Sequence, residues 1–211
     1  RFKNKTPDFL ADVFAHDIEV GIQNTTIKAG FLKCATDAQG ITPDVELVLR
    51  GVARAHLRTG VPIMTHSLPD NESGLAQLDI FEQEGVDLNR VLIGHCGDTD
   101  NIEYIEKILK RGAYVGLDRY GIVRKISTER RNRTVIELLK RGYVEKMFLS
   151  QDYCCTSDLY KPDERKKEVN PKWSMTFLLD EVIPELKRMG VTEEQIHTMM
   201  VDNARRWFEG A

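Results

Sequence analysis

The sequence predicts an α/β chain that forms part of a (β/α)8 barrel, and three observations carry that prediction. Short apolar runs alternate with helical stretches from one end to the other. Five of those runs end in a side chain able to bind a metal or handle a proton: Lys33, His66, His95, the Asp118-Arg119 pair and Asp152. The tips recur every 24 to 33 residues, a strand–helix repeat, and a barrel of parallel strands gathers the C-terminal ends of different strands around one site.

Thr6-Pro7-Asp8 supplies an N-cap hydroxyl, a proline and an acid ahead of Phe9, Leu10, Val13, Phe14 and Ile18 at helical spacing, so the chain opens on a helix. A strand over 29–34 carries Lys33. Thr42-Pro43-Asp44 repeats the start signal, and Gly60 is the expected C-terminal cap. A strand over 61–66 ends at His66, followed by a loop over 67–73 and a helix over 75–84 closed by Gly85. A strand over 90–95 leads into Asp98-Thr99-Asp100, whose acids are expected to cap a helix over 102–110. A strand over 113–118 precedes a charge run, 124–133, expected to be a solvated face, and a helix over 134–140. The last strand spans 146–152. Beyond it, the polar stretch 154–170 is too long for an ordinary strand–helix connection. Helices over 173–188, kinked or divided at Pro184, and over 193–208 end the chain.

Alternation of this kind means parallel strands joined by right-handed crossovers. A doubly wound sheet would place one ligand at a switch point, usually beside a glycine-rich phosphate turn, and the sequence has neither GxGxxG nor a P-loop. Five strands fall short of eight, and the chain begins on a helix. The expectation is therefore a single domain over 1–211 carrying the last five βα units of a barrel, with three units preceding it. A net charge of −3 provides no field for nucleic acid. No apolar run approaches the ~18 residues of a membrane span. Cys34, Cys96, Cys154 and Cys155 are poor material for a disulfide framework, which points to a reducing, cytoplasmic setting in which they pack as small hydrophobes.

Two histidines, a lysine and an aspartate on one face suggest a metal site suited to zinc, cobalt, iron or manganese. Lysine is the odd member, because an ammonium cannot bind a cation. It becomes a ligand only as a neutral amine or as a carbamate formed with CO2, and a carbamate bridge implies two metals that activate water and polarise an ester or phosphoryl oxygen. Each tip also has a plainer reading, in which the histidines are satisfied polar residues and Arg119 merely pairs with Asp118. His16, His56 and His197 fall in helices and are not expected to be ligands. A barrel that binds metal or a partner without catalysis, and a metal-free phosphate-binding barrel enzyme, remain open on the residues alone.

The stretches Ala29-Gly30-Phe31-Leu32-Lys33, Pro62-Ile63-Met64-Thr65-His66, Ile93-Gly94-His95-Cys96-Gly97-Asp98, Gly116-Leu117-Asp118-Arg119-Tyr120-Gly121 and Asp152-Tyr153-Cys154-Cys155, with the ending Asp202-Asn203-Ala204-Arg205-Arg206-Trp207-Phe208, resemble the phosphotriesterases of the amidohydrolase superfamily, and most closely its phosphotriesterase-like lactonases. The resemblance covers essentially the whole chain. It implies a dinuclear hydrolase that opens lactones of the acyl-homoserine type and acts weakly on organophosphates through a bridging hydroxide. Lys33 would be the carbamylated bridge between two divalent ions, His66 and His95 would hold the more exposed metal, and Asp152 would bind the buried one and shuttle a proton. Arg119 and Tyr120 would lie at the lactone, and Cys154 and Leu159 in a lid over 154–170 that takes the acyl chain. A homodimer is implied as well. The family's first strand ends in a His-x-His pair that completes the buried metal site, and this sequence contains no His-x-His.

Overall fold

A computed structural model describes residues 4–154 and 170–210. In order the elements are α1 (Pro7–Glu19), β1 (Leu32–Ala35), α2 (Pro43–Thr59), β2 (Ile63–His66), α3 (Ser73–Gln83), β3 (Val91–Gly94), α4 (Ile102–Lys110), β4 (Tyr114–Leu117), α5 (Thr128–Lys140), β5 (Met147–Leu149), α6 (Ile183–Arg188), α7 (Glu193–His197) and α8 (Asn203–Glu209). The five strands form one sheet in the order β1-β2-β3-β4-β5, every pair parallel. Each strand lies beside its successor, with no reversal of order. This is the arrangement of five adjacent staves of a (β/α)8 barrel and excludes the doubly wound alternative.

The start signals act as the sequence predicts. Thr6 accepts from the Phe9 N–H and Thr42 from the Val45 N–H, each with proline in the first turn, and Gly60 closes α2 at φ 73°. A substituent at Gly51 would stand 2.7 Å from Leu10 Cβ, so this glycine lets α1 and α2 lie close. The contact is made by Leu10, Ala11 and Ala15, which are buried, whereas Phe9 and Val13 are exposed. The apolar positions of α1 therefore divide between two faces instead of forming one stripe.

Two apolar layers hold the sheet. The larger lies between the sheet and the helices and includes Ile63, Ile93, Val115, Leu117, Val135 and Leu138. The smaller, on the opposite face, is Leu92, Tyr114 and Trp207 with Met64 and Phe148 against them. Strands β3 and β4 are consequently buried at every position, whereas β1 alternates buried and exposed residues. Trp207 comes from α8, which is held by Asn203 donating to the carbonyls of Val144 (2.8 Å) and Met147 (2.7 Å). The Trp207 indole N–H donates to the Arg90 carbonyl at 3.1 Å.

Several elements differ from expectation. The charge run is solvated at Arg124, Lys125, Glu129, Arg130 and Arg133, with one exception: α5 begins at Thr128, capped by Ser127, and helical phase carries Arg131, with Asn132, into the interior. Helix α4 is capped by Asn101, not by Asp98 or Asp100. The expected helix over 173–188 opens instead with a π-helical turn, Leu178–Val182, directly before Pro184 in the first turn of α6. Widening the turn there accommodates a residue that cannot donate a backbone hydrogen bond. A second π turn, Thr198–Asp202, divides the last helix. Cys34 and Cys96 are buried without a disulfide, and burial pushes the Cys34 thiol up to about 12. Cys155, Leu159 and most of the proposed lid lie outside the described residues. Among the described residues no helix is long and apolar enough to cross a membrane.

Candidate active site

The chain turns at the strand tips in an unusual way. His95, Arg119 and Asp152, which follow β3, β4 and β5, all adopt left-handed backbone conformations, with φ 66°, 60° and 52°. A non-glycine residue in that region carries strain on the order of 1–3 kcal/mol. Three such residues at successive tips make this end of the sheet a strained rim.

His95 is buried and held twice by one carboxylate. Its Nδ1 lies 2.9 Å from Asp118 Oδ1, and its backbone N–H donates to Asp118 Oδ2 at 2.9 Å. Gly116 makes the room, since a Cβ there would stand 2.7 Å from Asp118 Oδ2. With a carboxylate on Nδ1 that nitrogen carries the proton, so Nε2 presents its lone pair. It points at His66 Nδ1, 2.9 Å away, with the rings at 80° to one another. The His66 imidazole is lowered to about 4, first by burial and then by His95 and Arg119, and is neutral at ordinary pH.

This pair fits a metal. The facing atoms are the two nitrogens able to ligate, and a carboxylate behind one of them is the usual support of a ligating imidazole. A tetrahedral ion with bonds of about 2.0–2.1 Å holds two nitrogens about 3.3 Å apart, so a small opening of the pair admits one. Lys33, on the neighbouring tip, donates from Nζ to the Thr65 carbonyl at 3.0 Å. Much of its surface is open, yet its ammonium end is crowded enough that desolvation lowers its pKa, against the pull of Asp118 and Asp152. A lysine more readily deprotonated is better suited to form a carbamate than an ordinary surface lysine.

A second group lies beside the first. Arg119 donates from Nε to Asp152 Oδ2 (3.2 Å) and from Nη1 to Asp98 Oδ2 (2.7 Å), so its partners are these two acids and not the adjacent Asp118. Asp98 is buried, and its other oxygen accepts from Arg131 Nη2 at 2.7 Å.

The structure thus joins His66 to His95 and Arg119 to Asp152. It does not join Lys33 or Asp152 to the imidazoles by a hydrogen bond, and among the described residues no three His, Cys, Asp or Glu side chains cluster as a metal cage. Tyr120 is fully buried in the core, so in this conformation its ring offers nothing to a substrate at the rim. Cys154 is exposed. His56 is buried with Nδ1 2.8 Å from the Val61 carbonyl, while His16 and His197 are exposed beside Asp17 and Asp202. Three residues escaped the sequence reading: Asp98, Asp118 as the partner of His95, and Arg131. Arg131 was discoverable, because Arg131, Val135 and Leu138 share one helical face.

Parallel staves with imidazole, lysine and aspartate at their C-terminal tips are the design of the amidohydrolase-like barrels. The phosphotriesterase family profile matches residues 2–208, and the chain belongs to that family. It is 49% identical over 209 residues to a Saccharolobus solfataricus protein named aryldialkylphosphatase, covering 98% of this chain and 66% of that one. The solved phosphotriesterase of Mycobacterium tuberculosis superposes with a TM-score of 0.91 at 50% identity, over 94% of this chain and 61% of that one. A third structure, described as organophosphate hydrolysis engineered from a weak promiscuous lactonase template, superposes with a TM-score of 0.88 at 29% identity, over 96% of this chain and 64% of its own. The chain spans about two thirds of the length of these relatives.

Proposed function

We propose that the protein containing this chain is a metal-dependent hydrolase that opens lactones, with acyl-homoserine lactones as the substrate class, and hydrolyses organophosphate triesters more weakly. The observation that carries the proposal is the His66–His95 pair with Asp118 behind it. His66 would ligate through Nδ1 and His95 through Nε2, with Asp118 fixing the His95 ring and its tautomer. Lys33, as a carbamate, would bridge to a second ion that Asp152 would help to hold. Two divalent ions, of zinc, cobalt, iron or manganese, would supply Lewis acidity and an activated water. Asp152 would accept a proton at its carboxylate and return it to the leaving alkoxide, and Arg119, at the same rim, would orient the substrate's ester oxygen. The lactonase preference is supported by the resemblance of the Arg119-Tyr120 and Tyr153-Cys154-Cys155 stretches to the lactonases, and by the lactonase origin of one solved relative. The weaker activity is supported by the name of the Saccharolobus relative. The same proposal includes a barrel closed by three further βα units, a homodimer and a cytoplasmic setting.

Removal of metal tests it. In the intact protein a chelator abolishes both activities, and metal with bicarbonate restores them. Lactone hydrolysis that resists chelation contradicts the proposal.

A second reading is an incomplete barrel that binds metal or a partner without catalysis, favoured by Lys33 being engaged with the Thr65 carbonyl. Metal analysis separates the two: two ions per chain support the hydrolase, and one or none supports the binding protein.

A further inference from the structure

Arg131 is the most deeply buried guanidinium among the described residues, its side chain 1% exposed. A buried arginine is costly unless most of its hydrogen bonds are met, and here the partners are informative. Nη1 donates to the carbonyls of Ile122 and Ile126, both at 2.7 Å, and Nη2 donates to Asp98 Oδ1 at 2.7 Å. Nε has no protein partner. The two carbonyls belong to the segment joining β4 to α5, which leaves the rim at Arg119. The Ile122 N–H donates to the Arg119 carbonyl at 3.0 Å, so Ile122 closes the turn on which Arg119 stands. Asp98 Oδ2 in turn accepts from Arg119 Nη1. Arg131 therefore grips Arg119 in two places: its backbone turn, through Ile122, and its side chain, through Asp98. At the far end Arg119 Nε meets Asp152.

We propose that Arg131 is a positioning residue of the rim, holding the Arg119 guanidinium through Asp98 and the β4–α5 turn so that it addresses Asp152 and the substrate in one fixed geometry. The role needs arginine, because only a planar fork serves two carbonyls and a carboxylate together; lysine carries the charge from a single point. It also explains how Arg119 keeps a left-handed backbone, which needs support from its surroundings. The consequence for catalysis rests on the hydrolase reading above, but the consequence for Arg119 does not.

The test uses the intact protein, labelled with 15N-arginine, and its Arg131→Lys, Asp98→Asn and Arg119→Lys variants. The last assigns the Arg119 Nε–H signal. The expected result is that Arg131→Lys still unfolds cooperatively but speeds exchange of the Arg119 Nε proton by about tenfold or more and lowers kcat/KM for a lactone by about tenfold. In the Arg119→Lys background the same substitution adds less than about threefold, because the two act as one unit. Asp98→Asn keeps the bonds from Arg131 to Ile122 and Ile126. It speeds Arg119 exchange while leaving amide exchange over 122–127 unchanged; should Arg131→Lys fail to fold, Arg131→Gln, which keeps Asp98 and its bond to Arg119, decides the matter by whether Arg119 exchange speeds up. An Arg119 Nε–H signal unaltered in the folded variants, with only stability reduced, overturns the proposal, as do independent, multiplying losses in the double variant. If the parent protein hydrolyses neither lactone nor organophosphate, the hydrolase reading fails, and the exchange data still decide the positioning role.

Discussion

The two ends of the sheet solve opposite problems. At the N-terminal end, Trp207 is inserted against Leu92, Tyr114 and Phe148, and its indole N–H is satisfied by the Arg90 carbonyl. The cations beside it are met by neutral oxygens: Arg90 donates to the Gly60 and Phe208 carbonyls and Lys146 to Asn89 Oδ1. At the C-terminal end three residues hold left-handed conformations, Asp98 is buried between two guanidiniums, and two imidazole nitrogens face each other at 2.9 Å. A molecule of marginal stability tolerates such a rim only if the strain is offset elsewhere. Apolar packing thus dominates one end of these staves, and strained, buried polar groups gather at the other.

Substitutions at the two ends should have opposite effects, and the larger is expected at the packed end. Trp207→Ala is expected to cost about 3–5 kcal/mol, because it empties the inner layer and strands the Arg90 carbonyl. Urea unfolding reads the loss, and metal affinity of the fraction that remains folded should not move. A change in that affinity would mean that the two ends are not separate. At the rim the expectation reverses. Asp118→Asn should leave the unfolding midpoint nearly in place yet weaken metal binding about 10–100-fold, since His95 loses the carboxylate that sets its tautomer. Competition with a metal-sensitive dye measures it.

The smallest effect concerns pH. The folded His66 imidazole, at about 4, lies below its value in the unfolded chain, so the unfolded state binds the extra proton first. Metal-free protein should therefore lose stability as pH falls from about 6.5 to about 4 and show no further loss from this group below that. Because His66 is only half-buried, its share is on the order of 1 kcal/mol. The measurement is a urea midpoint at pH 7 and pH 5, and His66→Phe should flatten this part of the profile. An equal slope in the variant would assign it to other groups.

Much of this architecture was legible because it is local. A threonine before a proline caps a helix wherever it stands, and a glycine after a helical run ends one, so Thr6, Thr42 and Gly60 could be read directly. The tips His66, His95 and Asp152 were legible because an apolar run stops at them. What escaped reading depends on distant partners. Asp98 looked like a helix cap from its neighbours in the chain, and only the fold brings Arg119 and Arg131 to it, 21 and 33 residues away. Arg131 was hidden in a run of charges whose average suggests solvent, while its helical phase points inward. Tyr120 was placed at the substrate by resemblance, but its ring turns into the core one residue after the chain reverses at Arg119.

Anomalous diffraction from crystals of the intact protein grown with zinc and bicarbonate tests whether the strand tips form one metal site. An anomalous peak between His66 Nδ1 and His95 Nε2, a second peak near Asp152, and carbamate density on Lys33 joining them are expected. Peaks away from the imidazole pair, or an unmodified Lys33 still bonded to the Thr65 carbonyl beside a filled site, would contradict it.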